Sequence, residues 1–172
     1  KKSFSFTFFI KQSLSARELC VYVPCQIAGG ICGTLSAHAM FNLPILDLNG
    51  KDRDSSGELL AESISTFGLL LTILGNLHTN KAHNIAPSVG AYIMAGYWFT
   101  LSTCFANPAV TIARTFTQTF AGISFQSWPT YFGGQIMGMF VAIPFCEWVF
   151  CNKDFRSALS IYSHVWPSHV GI

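Results

Sequence analysis

Four stretches of this chain are long and apolar enough to cross a bilayer: Leu19 to Phe41, Leu59 to Leu77, Val89 to Cys104 with its continuation, and Tyr131 to Cys151. A spanning helix needs about 20 mainly apolar residues, so several such runs mean that lipid is part of the solvent. Lipid offers no hydrogen bonds, and every backbone N–H and C=O has to be paired inside the protein. The expected fold class is therefore an all-α membrane protein. Composition agrees, since 51% of the 172 residues are apolar and only 10% are charged, against roughly 25% charged in a soluble domain. The net charge of +2 is too small to imply a nucleic-acid partner, and the composition excludes a disordered tail or a secreted disulfide scaffold. Six cysteines carry no CxxC pair and no metal-ligand spacing. Five of them lie in apolar runs and are read as buried thiols. No metal and no cofactor are indicated.

Two further apolar pieces, Phe4 to Leu14 and Pro108 to Ile123, are too short to span and too apolar for ordinary loops. Half-length segments of this kind are read as re-entrant helices, tolerated only where protein or a water-filled cavity covers their backbone. The polar stretch between the first two spans holds Asp47, Lys51, Asp52, Arg53 and Asp54. Basic residues are retained on the cytoplasmic side. Lys1, Lys2, Lys11, Arg17, Lys81, Lys153 and Arg156 fall on one face of a four-span arrangement, and only Lys51, Arg53 and Arg114 fall on the other. This bias puts the start of the chain and its tail in the cytoplasm, in a cell (inner) membrane. The segment after Cys104 then enters the membrane from the outer face. Lys1 in place of Met, directly ahead of Phe4-Ser5-Phe6-Thr7-Phe8-Phe9-Ile10, predicts further sequence upstream. The stretch lacks a small-residue cleavage site and is not read as a signal peptide.

An internal repeat organises the rest. Tyr22-Val-Pro-Cys-Gln26-Ile27-Ala-Gly29 recurs as Tyr131-Phe-Gly-Gly-Gln135-Ile136-Met-Gly138, and by the orientation above the two copies cross in opposite directions. Opposed copies of one unit make an inverted repeat, an architecture that sets a solute site at the midplane where half-helices meet. The division expected from it is a single partial domain over 1–172: the end of a first repeat (1–41), an outer loop (42–58), a second repeat (59–151) and a cytoplasmic tail (152–172). Asn107-Pro108-Ala109 opens the second short piece. Proline suits a first helical turn, and Asn caps it while leaving its NH2 to point outward. The positive end of a half-helix together with an Asn donor favours the oxygens of neutral polar solutes and repels cations.

At these residues the chain resembles the aquaporin, or major intrinsic protein, family. The resemblance is carried by Phe105-Ala106-Asn107-Pro108-Ala109-Val110-Thr111-Ile112-Ala113-Arg114, by Glu62-x3-Thr66, and by the two Y-x3-Q-I-x-G helices. It runs from about Leu19 to Cys151 and aligns with the third to sixth spans of a six-span channel. The run from Ser102 to Arg114, with Thr119-Phe120-Ala121-Gly122-Ile123 after it, is similar to a bacterial subset associated with arsenic-resistance operons. The resemblance implies a passive channel for water and small neutral solutes, glycerol-like polyols and arsenous acid among them, working in the lipid bilayer as a homotetramer. It implies pore and selectivity roles for Asn107, Pro108, Ala109, Val110, Ala95 and Cys104. It also implies that Glu62 supports the pore loop by accepting backbone hydrogen bonds.

Three departures accompany it. The family's first Asn-Pro-Ala falls near Lys1-Lys2-Ser3, which does not match. Val110 stands where the family usually has Arg, and the filter role is not carried over to Arg114, one turn further along the helix. Ala95 stands where water-selective members have His. From the residues alone, Glu62 in an apolar span needs a partner, because an unpaired ionisable group there costs several kcal/mol. Gly29, Gly30, Gly33, Gly133, Gly134 and Gly138 are expected to permit close helix contact. His38, His78, His83, His164 and His169 form no ligand pattern, and those in loops are read as solvated. Trp98, Trp128, Trp148 and Trp166 suit interfacial anchoring or packing. Two other functions remain open at this point: a truncated, non-conducting channel remnant and, more distantly, a membrane-embedded enzyme. The chain has neither G-x-S-x-G nor H-E-x-x-H.

Overall fold

A computed structural model describes residues 16–48 and 50–150. The first short apolar piece, the Lys1-Lys2-Ser3 position and the tail lie outside the described residues. Helix α1 spans Ala16–Met40, α2 Ser56–His78, α3 Ile85–Phe99, α4 Pro108–Ala113 and α5 Trp128–Val149. Single 3-10 turns lead into α3 at Ala82–Asn84 and into α5 at Phe125–Ser127, and another continues α4 at Arg114–Phe116.

Among the described residues, three segments are long and apolar enough to cross a membrane: Cys20–Met40, Ser56–His78 and Phe125–Val149. The expected span from Val89 to Cys104 is a 15-residue helix that begins earlier, at Ile85, and stops at Phe99. Thr100 ends it in an extended conformation, and both its N–H and its hydroxyl bond back to the Gly96 carbonyl. With its 3-10 lead-in the segment still reaches roughly 28 Å, close to the ~30 Å hydrocarbon thickness. The piece expected from Pro108 to Ile123 is helical only as far as Phe116. From Thr117 the backbone is extended and turns back, with the Ile123 N–H bonding the Arg114 carbonyl.

Helix α2 starts inside the region read as loop. The Ser55 side chain accepts from the Gly57 and Glu58 amides, while the Glu58 carboxylate accepts from the Ser55 backbone and hydroxyl. This is a capping box, whose S-x-x-E signature is legible at Ser55 to Glu58.

Helices α2 and α5 form the most extensive contact in the structure. A Cβ on Gly134 would lie 2.6 Å from the Leu59 carbonyl, and one on Gly138 would strike the Ser63 carbonyl and lie 2.9 Å from Thr66 Cβ. Backbone therefore meets backbone there, with Leu70, Met139 and Ala142 closing the seam. On the other flank of α2, Leu69, Ile73, Leu74 and Leu77 pack against Ile85, Val89 and Ile93 of α3. The Tyr92 hydroxyl donates to the Ser65 carbonyl at 3.0 Å.

Helix α1 packs chiefly on α4 and its 3-10 turn, with Gly30 against Ala113 and the Thr34 hydroxyl bonded to the Ala113 carbonyl at 3.3 Å. The glycine expectation thus holds at Gly30, Gly134 and Gly138. Gly29 and Gly33 face open space, and Gly133 makes only ordinary contact with Leu59. The cysteines need a parallel correction. Cys104 and Cys146 are buried, whereas Cys20, Cys25 and Cys32 are exposed on α1. An apolar run shows that a helix avoids water, but which of its faces meets protein depends on neighbours the run does not encode.

Candidate functional site: the loop and short helix at Asn107

The residues between α3 and α4 run from Thr100 to the cap at Asn107, and three of them hold left-handed backbone: Thr103 (φ 60°), Cys104 (φ 52°) and Ala106 (φ 45°). For residues with a Cβ this conformation costs about 1–3 kcal/mol each, so something has to impose it. Glu62 does so. Its side chain is fully buried and both carboxylate oxygens are filled. One accepts from the Ser102 hydroxyl (2.6 Å) and the Phe105 N–H (2.9 Å), the other from the Ala106 N–H (2.9 Å) and Gln135 Nε2 (2.8 Å). A lone carboxylate could not stand in this position, and four donors offset its desolvation.

Gln135 extends the clamp, because its NH2 group also reaches the Thr111 hydroxyl of α4 at 3.0 Å. One carboxylate and one carboxamide, from the two helices pressed together at Gly134 and Gly138, therefore grip both the loop and the short helix that follows. The Phe105 ring anchors the loop from the other side, 4.9 Å from Tyr131 in a cluster with Ala121 and Ile123.

Asn107 caps α4 with its side-chain oxygen, which accepts from the Ala109 N–H at 3.0 Å, and Pro108 occupies the first turn. The carboxamide NH2 has no acceptor among the described residues. Ala109 is buried, and Val110 is half-buried against the Phe105 cluster. Cys104 is only 3% exposed. A Cβ built on Gly96 would lie 2.6 Å from its sulfur, so the thiol is packed under α3. Ala95 is exposed on α3; being one residue from Gly96, its methyl points about 100° away from the Cys104 contact. The structure thus brings Glu62, Cys104 and Asn107 to Val110 together, and it leaves Ala95 on a different face of α3.

Sequence reasoning missed three contributors. Ser102 and Gly96 carry no local signal beyond their place beside the motif. His38 is buried, with Nδ1 2.7 Å from the Pro44 carbonyl and Nε2 2.7 Å from the Thr117 hydroxyl. It ties the α1–α2 loop to the chain leaving α4, and only its position at the end of an apolar helix hinted at burial.

Helices long and apolar enough to span a membrane, packed against a short capped one whose preceding loop is held by a buried carboxylate, define an all-helical membrane protein of the aquaporin-like kind. No family model and no solved structure matches the chain. It is similar to aquaglyceroporin AqpS of Rhizobium meliloti (strain 1021), with 41% identity over 145 residues, covering 84% of this chain and 62% of that protein. The chain belongs to the aquaporin, or major intrinsic protein, family. It spans less than two thirds of the length of this relative.

Proposed function

We propose that this chain builds the Asn-Pro-Ala half of a passive channel for water and small neutral solutes, such as glycerol-like polyols and arsenous acid. In this reading α4 is a re-entrant half-helix. Its positive end and the Asn107 NH2, which has no acceptor among the described residues, meet the oxygens of the solute. The carbonyls of Thr103, Cys104 and Phe105, which accept no hydrogen bond from another described residue, serve as a ladder of acceptors along the path. Cys104 then contributes through its backbone, since its thiol is packed against Gly96. Val110 on α4 and, separately, Ala95 on α3 leave the path without the Arg and His of water-selective members. The assembly is a homotetramer in the inner membrane, with the tail in the cytoplasm.

The observation that carries this reading is the clamp of Glu62 on the Phe105 and Ala106 amides immediately ahead of the capped helix. A strained loop held this firmly keeps its carbonyls fixed while solute passes. The test is light scattering from vesicles holding the reconstituted protein, in sorbitol, glycerol and arsenous acid gradients. The expected result is water and glycerol permeability above that of protein-free vesicles. Val110→Arg, and likewise Ala95→His, should cut solute flux more than water flux, because each adds bulk where the wall is small. Water flux without any passage of glycerol or arsenous acid would overturn the wide-filter reading.

A further inference from the structure

We infer that Arg114 is the cation that guards this channel's mouth, one helical turn outward from Val110; the inference rests on the channel reading above. Its backbone N–H bonds the Val110 carbonyl, so the two residues stand on one face of the same short helix. Helix α4 runs from its cap at Asn107 toward the end of the bundle that carries the α1–α2 loop. The chain just beyond Arg114 meets that loop through His38, which bonds Thr117 and Pro44, and through the Ser124 N–H on the Lys51 carbonyl. Arg114 therefore sits between the loop before Asn107 and the open end of the bundle.

Its side chain is half-buried. Its guanidinium makes no hydrogen bond with another described residue, and the group in electrostatic range is Tyr97, on α3 two residues from Ala95. An arginine with five donors and no acceptor among the described residues is costly against lipid. Intramembrane arginines face the bundle interior or a water-filled cavity. In the channel reading, water in the lumen supplies acceptors for this one. Val110 packs in the same cluster as Tyr97, so the small residue and the cation line one stretch of wall. The position directly after Asn-Pro-Ala then sets the width, and the position one turn out supplies the charge that turns cations away.

The experiment uses the protein reconstituted in vesicles, with water and glycerol flux followed by light scattering and proton and sodium leak followed by internal dyes. Arg114→Gln should raise the leak roughly 10-fold or more, as expected for removing one unit charge from beside the path at an effective dielectric near 20. Water flux should persist, and Arg114→Lys should remain tight. In R114C, a positively charged aqueous methanethiosulfonate should restore tightness and a negatively charged one should deepen the leak, while the wild-type protein, which has its own cysteines, is unaffected by both. This labelling arm reads the same site in protein that is demonstrably folded, because it still conducts water. An unchanged leak in Arg114→Gln with water flux intact, or an R114C thiol that aqueous reagents do not reach, would overturn the proposal and leave the channel reading standing. If wild-type vesicles conduct neither water nor glycerol above protein-free ones, both readings fall.

Discussion

Replacing Glu62 by Gln changes one atom and tests the clamp directly. The carboxylate accepts four hydrogen bonds, two per oxygen, and two of the donors are backbone amides fixed by the loop. A Gln amide at this place turns an NH2 group onto one of the two pairs. Aimed at the Ser102 side, it can be met by a rotated hydroxyl but orphans the Phe105 N–H. Aimed at the Gln135 side, it can be met by a flipped carboxamide but orphans the Ala106 N–H. Either way one buried backbone donor loses its partner, at about 1–3 kcal/mol, and the surviving bonds are no longer charge-assisted. Removing a buried charge returns part of its desolvation cost, so the net loss is about 1–3 kcal/mol. The strain of the three left-handed residues is of the same size per residue, so the loop should relax before the bundle unfolds. The expected outcome is a melting temperature lowered by a few degrees in detergent, at about 2–4 °C per kcal/mol for a chain of this size, with a disproportionate fall in water flux. Glu62→Ala, which orphans all four donors, should be worse on both readouts. A Glu62→Gln protein with wild-type flux and melting temperature would refute the view that this carboxylate holds the loop.

Two other substitutions follow from the packing. Gly138→Val should separate α2 from α5, because a side chain there meets the Ser63 carbonyl and Thr66 Cβ; aggregation or rapid trypsin cleavage of the detergent-solubilised protein is expected, whereas Gly29→Val, which meets open space, should change protease resistance little within the monomer. His38→Leu should cost about 1–3 kcal/mol by leaving the Thr117 hydroxyl and the Pro44 carbonyl without their shared partner, read as a lower melting temperature. An unchanged melt would mean that water replaces the imidazole at no cost.

Much of this protein follows from its sequence alone. Long apolar runs leave the backbone no partner except itself, so helical spans at Ala16–Met40, Ser56–His78 and Trp128–Val149 follow from the chemistry of lipid, within a few residues at each end. Asn107-Pro108 marks a helix start by local sterics and capping, and the structure begins α4 at Pro108. Glu62 declares its need for partners because a carboxylate in an apolar run is costly anywhere. Other features belong to the tertiary structure. Gly134 and Gly138 matter, and Gly29 does not, because only the former pair faces the backbone of α2. Cys146 is buried while Cys20, Cys25 and Cys32 are exposed, in spans of similar hydropathy, since lipid and protein interior are alike to a thiol. The left-handed loop at Thr103 to Ala106 contains no glycine to announce it. Its shape comes from residues distant in the chain: the Glu62 carboxylate accepts from the loop's Phe105 and Ala106 amides, and Gln135 donates to that carboxylate from behind. Local chemistry chooses the elements, whereas a conformation that is unfavourable by itself exists only where several helices converge to hold it.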